Sequence, residues 1–170
     1  MELIFEKPAE ELAFELGHGD AVERIRAAQE LRKHMDFPAA RPALEAAARE
    51  DAFWAVRRAA IESLAAGGGS GLTAFIKKRA TDPSSRVRAA AVRALGNTGA
   101  GGLTAFFKTL FRNDSSYVVQ GEILSALGKC GGRGDADFLK QAAAMRSPRD
   151  VLKKRAEAAL TMIEEKSRKK

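Results

Sequence analysis

Val87-Arg88-Ala89-Ala90-Ala91-Val92-Arg93-Ala94-Leu95-Gly96 is the stretch on which the fold turns. Val87, Ala91 and Leu95 follow one another at steps of four, so they share one face of a helix. Val56-Arg57-Arg58-Ala59-Ala60-Ile61-Glu62-Ser63-Leu64 repeats the pattern. Working outward, Leu31, Leu64, Leu95, Leu127 and Leu160 form one column with steps of 33, 31, 32 and 33. A repeat near 32 residues determines the architecture more firmly than any single element. Four residues before each leucine stand Ala27, Ala60, Ala91, Ile123 and Ala156; eight before stand Glu23, Val56, Val87, Val119 and Leu152. The terminal repeats depart from the pattern, as end units facing water should.

A second column, Leu44, Ile76, Phe107 and Leu139, has steps of 32, 31 and 32, and Leu-Thr-Ala-Phe occurs at 72–75 and again at 103–106. Each unit is therefore a helix pair. Such a pair cannot bury its apolar face alone, and stacking on the next pair stabilises it by ~1.5–3 kcal/mol for each fully buried Leu or Val. Gly67, Gly96 and Gly128 are expected as helix terminators of positive φ, with Asp82-Pro83-Ser84 and Asn113-Asp114-Ser115 capping the helices that follow. The expected organisation is one domain over 1–170, all-α, of about five helix pairs: an extended segment at 1–7, a capping helix at 8–17, repeats over 18–165 and a frayed basic tail at 166–170.

Composition supports helices. Among 170 residues there are five Pro, one Trp, one Tyr and nine Phe, so the core is built from Ala, Leu, Val and Ile, and β-branched alternation is scarce. No apolar run reaches the roughly 18 residues of a membrane span. Met1-Glu-Leu-Ile-Phe-Glu-Lys-Pro8 lacks the basic start and apolar centre of a signal peptide, so the chain as given is expected to be soluble. Its compartment is left open: bacterial cytoplasm, or exported where a longer protein carries a signal. Net charge is +7 overall; residues 1–85 carry 12 basic and 14 acidic residues, and 86–170 carry 17 and 8. Cys130 cannot form an internal disulfide and is expected as an idle thiol in a loop beside Gly131 and Gly132.

The two valine-led stretches resemble HEAT repeats, in which a Val-Arg-x-Ala-Ala core precedes a leucine. The resemblance spans nearly the whole chain and implies an α-solenoid. In HEAT families an Asp six residues before the Arg commonly builds a ladder of side-chain hydrogen bonds between repeats. Asp51 before Arg57 and Asp82 before Arg88 match; Asp114 precedes Gln120, so the charged pair lapses there, and the first and last repeats lack the Asp.

Residues 5–31, with Asp51 to Ala60, Ser85 to Gly96 and Asp114 to Lys129, also resemble the C-terminal helical domain of bacterial zinc aminopeptidases of the aminopeptidase N class. That likeness implies a non-catalytic accessory domain packed on a catalytic domain of the same polypeptide and shaping substrate access. Leu3-Ile4-Phe5 would be the last strand of a preceding β domain, and zinc would belong only to an upstream catalytic domain. The His-Glu-x-x-His helix and the Gly-x-Met-Glu-Asn loop of that family do not occur in this chain.

No catalytic or metal-binding residue and no cofactor is expected from the residues themselves. His18 and His34 are sixteen apart with no second pair of ligands nearby; His18 is read as capping a turn, His34 as suiting a helix end. No phosphate loop, catalytic triad or paired carboxylates occur. Candidate partner-binding residues are Trp54 and Tyr117, which share a column ten residues before their leucines, and Arg58, Arg86 and Arg93 on a basic stripe with Arg57, Arg88, Lys153, Lys154 and Arg155. Against these stand plain readings: the aromatics plug grooves between repeats, and the stripe is a solvated face. A free-standing protein-interaction scaffold competes with the accessory-domain reading. Nucleic acid ranks third, because the first half is acidic and aromatics for base stacking are not clustered.

Overall fold

Ala, Leu, Arg and Glu at 3.6-residue periodicity produce ten α-helices and no strand among the residues that the computed structural model describes, 7–69, 71–100 and 102–169. They are α1 (Ala9–His18), α2 (Ala21–Glu30), α3 (Ala40–Glu50), α4 (Trp54–Gly67), α5 (Leu72–Arg79), α6 (Ser85–Asn97), α7 (Thr104–Asn113), α8 (Tyr117–Cys130), α9 (Ala136–Ala143) and α10 (Val151–Arg168). The strand expected at Leu3-Ile4-Phe5 lies outside the described residues. The chain divides into two compact units, Met1–Phe75 and Ile76–Lys170, with the division inside α5.

In the first unit α1 packs on α2 and α3, α3 on α4, and α2 on α4. Leu12 lies 32 residues before Leu44 and is buried like it. The helix expected as a separate cap is therefore the first member of the first pair. Asp20 opens α2 with a capping box: its Oδ1 accepts from the N–H groups of Val22 (2.8 Å) and Glu23 (2.9 Å), while Glu23 Oε2 accepts from Asp20 N–H at 2.8 Å. Such a cap contributes about 1 kcal/mol. Leu31, Leu44, Val56, Ala60 and Leu64 have no exposed surface.

In the second unit α8 lies between α6 and α10, with α7 packed on α8 and α9 on α10. Val87, Ala91, Leu95, Val119, Ile123, Leu127, Leu152 and Ala156 are fully buried. Glu157, at the column position of Val92 and Leu124, is exposed on α10, so the last helix turns a polar side to water. Residues 166–168, expected in a frayed tail, are the final turn of α10. They are held there because Lys166 Nζ donates to Gly128 O at 2.7 Å.

The glycines correct the sequence reading. Gly96 and Gly128 lie inside α6 and α8, not after them. A Cβ on Gly96 would stand 2.7 Å from Ala126 Cβ, and one on Gly128 would stand 2.8 Å from Ala159 Cα. Their role is to let helix axes approach, each following its column leucine by one residue. Gly67 is the last residue of α4, and the positive φ falls on Gly68 at +64°. Capping differs too. Ser84 and Ser116 stand at N-caps without side-chain caps. Asp82 Oδ1 instead accepts from Ser84 N–H (2.8 Å), and Asp114 Oδ1 from Ser116 N–H (2.9 Å). Cys130 ends α8 rather than sitting in a loop. Burial raises its thiol above the ordinary value, and Sγ donates to Ala126 O.

Candidate interaction face

Ladder residues tie successive repeats together within each unit. Arg57 Nη1 donates to the backbone carbonyls of Asp51 (2.7 Å) and Ala52 (3.2 Å); Arg88 Nη1 donates to those of Asp82 (3.0 Å) and Pro83 (3.1 Å). Both arginines thus take the backbone of their own repeat, and the remaining nitrogens of Arg88 reach the carboxylate of the next. Arg88 Nε and Nη2 bond Asp114 Oδ2 and Oδ1 at 2.7 and 2.9 Å. Arg24 does the same to Asp51, at 2.8 and 3.2 Å, and anchors to Gly19 O at 2.8 Å. Each carboxylate holds its arginine's pKa above the ordinary value.

Asp114, read as belonging to a lapsed pair with Gln120, is therefore a working rung with Arg88. The first repeat, where the ladder looked in doubt, supplies Arg24. The signal was present: Arg24, Arg57, Arg88 and Gln120 each stand seven residues before their column leucine. Gln120 keeps the backbone half of the role, donating to Asp114 O (2.8 Å) and Phe111 O (3.2 Å), and its buried Oε1 has no hydrogen-bond partner among the described residues.

The partner-binding candidates fall in both units. Trp54 opens α4, half-buried and edge-on to Phe53 at 5.7 Å; Arg58 is paired along that helix with Glu62 at 2.9 Å. Tyr117 opens α8 and is exposed, as are Arg86 and Arg93 on α6. His18 bonds Phe14 O within α1 and stacks on the Phe14 ring at 4.3 Å. His34 ends a short 3-10 turn, Leu31–His34, after α2.

In the second unit three helices build one continuous surface. Val118, Glu122, Ser125 and Lys129 follow one another along α8 at steps of three and four, facing between α6 and α10. Arg93 Nε and Nη2 reach Glu122 at 3.2 and 3.1 Å, and Lys129 Nζ bonds Asn97 Oδ1 at 2.6 Å, which brings in α6. Arg155 lies 3.8 Å from Glu122 and donates to Ser125 Oγ at 3.1 Å, which brings in α10. Val151 flanks Gly121 and Met162 flanks Gly128. Exposed Val118 and Met162 thus sit among Arg93, Lys129, Arg155 and Lys166, with Glu122 in their midst. Sequence reading singled out Arg93 and passed over Glu122 and Lys129, whose position depends on which side of α8 is left open.

A family model described as HEAT repeats matches residues 9–82 and 72–161. The chain belongs to the HEAT-repeat family. No curated protein matches it in sequence. Among solved structures it is similar to the complex of CpcE and CpcF of phycocyanin lyase from Nostoc. That match has a TM-score of 0.75 and 20% identity, covering 96% of this chain and 68% of that one. A likeness at this identity speaks for the fold.

In this HEAT-repeat chain a Phe of α5, of α7 and of α9 each meets a cation of the pair before. Arg49 lies 5.7 Å from the Phe75 ring centroid, Lys77 5.4 Å from Phe106, and Lys108 5.7 Å from Phe138. These contacts contribute about 0.5–1 kcal/mol each at exposed sites. The open groove lined by Asp82, Arg88, Asn113 and Asp114 is the ladder rung seen from solvent. Among the described residues no group of three or more His, Cys, Asp or Glu is placed to hold a metal ion, and no helix is long and apolar enough to cross a membrane. The HEAT units differ in charge: 9 basic and 13 acidic residues in the first, 20 and 9 in the second.

Proposed function

We propose that this chain is a non-catalytic, protein-binding HEAT-repeat module whose α6–α8–α10 face receives a protein or peptide partner. The observation that carries the reading is the face itself: exposed apolar Val118 and Met162 framed by charged side chains whose positions are set by bonds between helices. Apolar anchors within a polar frame are how a protein surface gains both affinity and orientation. The structural neighbour solved as a complex of CpcE with CpcF is in keeping with a protein partner for this fold.

The test is capture of partners on the immobilised chain from cells that carry its gene. A partner held by the wild type and by Lys140→Glu on α9, and released by Val118→Asp with Met162→Asp, is the expected result. Retention by the face variant would sink the reading. The narrower reading, an accessory domain of a zinc aminopeptidase, is supported by the sequence stretches quoted above and by nothing in the face. Its test is whether adding this chain changes the turnover of an aminopeptidase catalytic domain encoded in the same reading frame.

A further inference from the structure

We infer that Glu122 is an internal stand-in for a carboxylate of the partner, so that the α6–α8–α10 face takes an acidic protein segment; this rests on the reading of that face as the binding surface. Two guanidinium groups from different helices converge on this one carboxylate. Arg93 bonds it through both terminal oxygens at 3.2 and 3.1 Å, and Arg155 approaches to 3.8 Å. The arginine side chains are 44% and 51% exposed while Glu122 is 13% exposed, so the cations present their outer sides to water with their carboxylate beneath. A second carboxylate arriving from solvent can bond Arg155 from above, because its exposed guanidinium carries five donors in a planar fork.

Among the described residues Lys129 and Lys166 bond neutral groups rather than carboxylates. Lys129 Nζ is held by the neutral amide of Asn97, and Lys166 Nζ by the carbonyls of Gly128 and Lys129. By helical phase Glu157 and Glu164 fall on the far side of α10 and Glu165 at the outer edge of the face. Positive potential therefore gathers over Glu122, and Val118 and Met162 add apolar footing that a protein segment can use. A nucleic acid is the poorer fit. Among the described residues Tyr117 at the rim is the face's one aromatic, so bases have little to stack on.

The probe is fluorescein-labelled poly-L-glutamate of about 20 residues, followed by anisotropy at about 50 mM salt, where exposed charges are weakly screened. Removing the internal carboxylate with Glu122→Gln is expected to tighten binding by about five-fold. Glu157→Gln, which makes the same change in net charge off the face, should change it by less than about two-fold. Lys129→Gln and Arg155→Gln should weaken it; thermal melts of each variant establish that it is folded. Equal gains from Glu122→Gln and Glu157→Gln would overturn the inference, because only total charge would then matter. Tighter binding of a 20-nucleotide oligothymidine with the same dependence on Glu122 would also overturn it, in favour of nucleic acid. A neutral amphipathic Leu/Gln helical peptide separates the two levels. If it binds in a manner lost with Val118→Asp while poly-L-glutamate does not bind, the acidic partner is wrong and the binding face stands; if neither binds, both fall.

Discussion

Arg88 on α6 and Asp114 ahead of α8 are joined through two parallel hydrogen bonds of 2.7 and 2.9 Å, with the Asp114 side chain only 3% exposed. The same carboxylate holds the turn before α8 through Ser116 N–H, so one residue both shapes a loop and locks successive repeats. Arg88→Met leaves Asp114 buried beside an apolar chain and should destabilise the protein by about 2–3 kcal/mol. Urea unfolding measures it, and an unchanged midpoint would refute the role given to the rung.

The helical glycines make an opposed pair of expectations. Alanine in a helix interior gains up to about 1 kcal/mol over glycine, yet Gly96→Ala and Gly128→Ala place a methyl within 3 Å of the next helix. Both should lower stability by about 1–3 kcal/mol through overpacking. Gly121→Ala meets Val151 Cγ1 at 3.3 Å, a contact that a small side-chain shift relieves. Thermal melts should place it well above the other two.

The ladder can be extended by design. Ser147 stands thirteen residues before Leu160, as Asp51, Asp82 and Asp114 stand before Leu64, Leu95 and Leu127. Gln120→Arg alone puts a charge at a site only 8% exposed and should destabilise the protein; Ser147→Asp alone should be near neutral. Combined, the two should show a favourable coupling of about 1–2 kcal/mol in a double-mutant cycle. Strict additivity would mean that the column does not bring these positions together.

Acid sensitivity should trace partly to Asp135. Burial pushes this carboxyl up, but the Lys108 ammonium at 2.6 Å and the Gly132 N–H at 2.9 Å hold it down, with the net value below the ordinary 3.8. A carboxyl depressed in the folded state contributes its stability above the unfolded pKa and loses it as pH falls through the folded one. Asp135→Asn should therefore be less stable than wild type above pH ~5, with the gap narrowing below pH ~4. A gap independent of pH would assign the loss to the turn rather than to the charge.

The leucine and alanine columns were legible because one period of 32 residues gives equivalent interior positions equivalent burial; Leu31, Leu64, Leu95 and Leu127 show no exposed surface, while Leu160 on the end helix is only half-buried. The arginine column was equally legible once extended to Arg24, since position relative to the leucine, not the identity of the residue six before it, decides the role. The capping aspartates were visible as residues but not as bonds. Whether Asp82 or Ser84 closes the turn depends on backbone angles that both residue types allow.

Glycine tells the same story from the other side. After a helical pattern it reads equally as a terminator of positive φ or as a contact point, and Gly96 and Gly128 are contact points while Gly68 is the terminator. Periodicity by itself determined that this chain is all-helical, built of repeated pairs, and which side chains form its core, because burial of an apolar face is a local demand repeated at fixed spacing. Only the tertiary structure decided that Glu122 lies under Arg93 and Arg155 and that Arg88 reaches forward to Asp114. Those contacts join residues more than 25 positions apart, and their geometry depends on how closely α6, α8 and α10 approach one another.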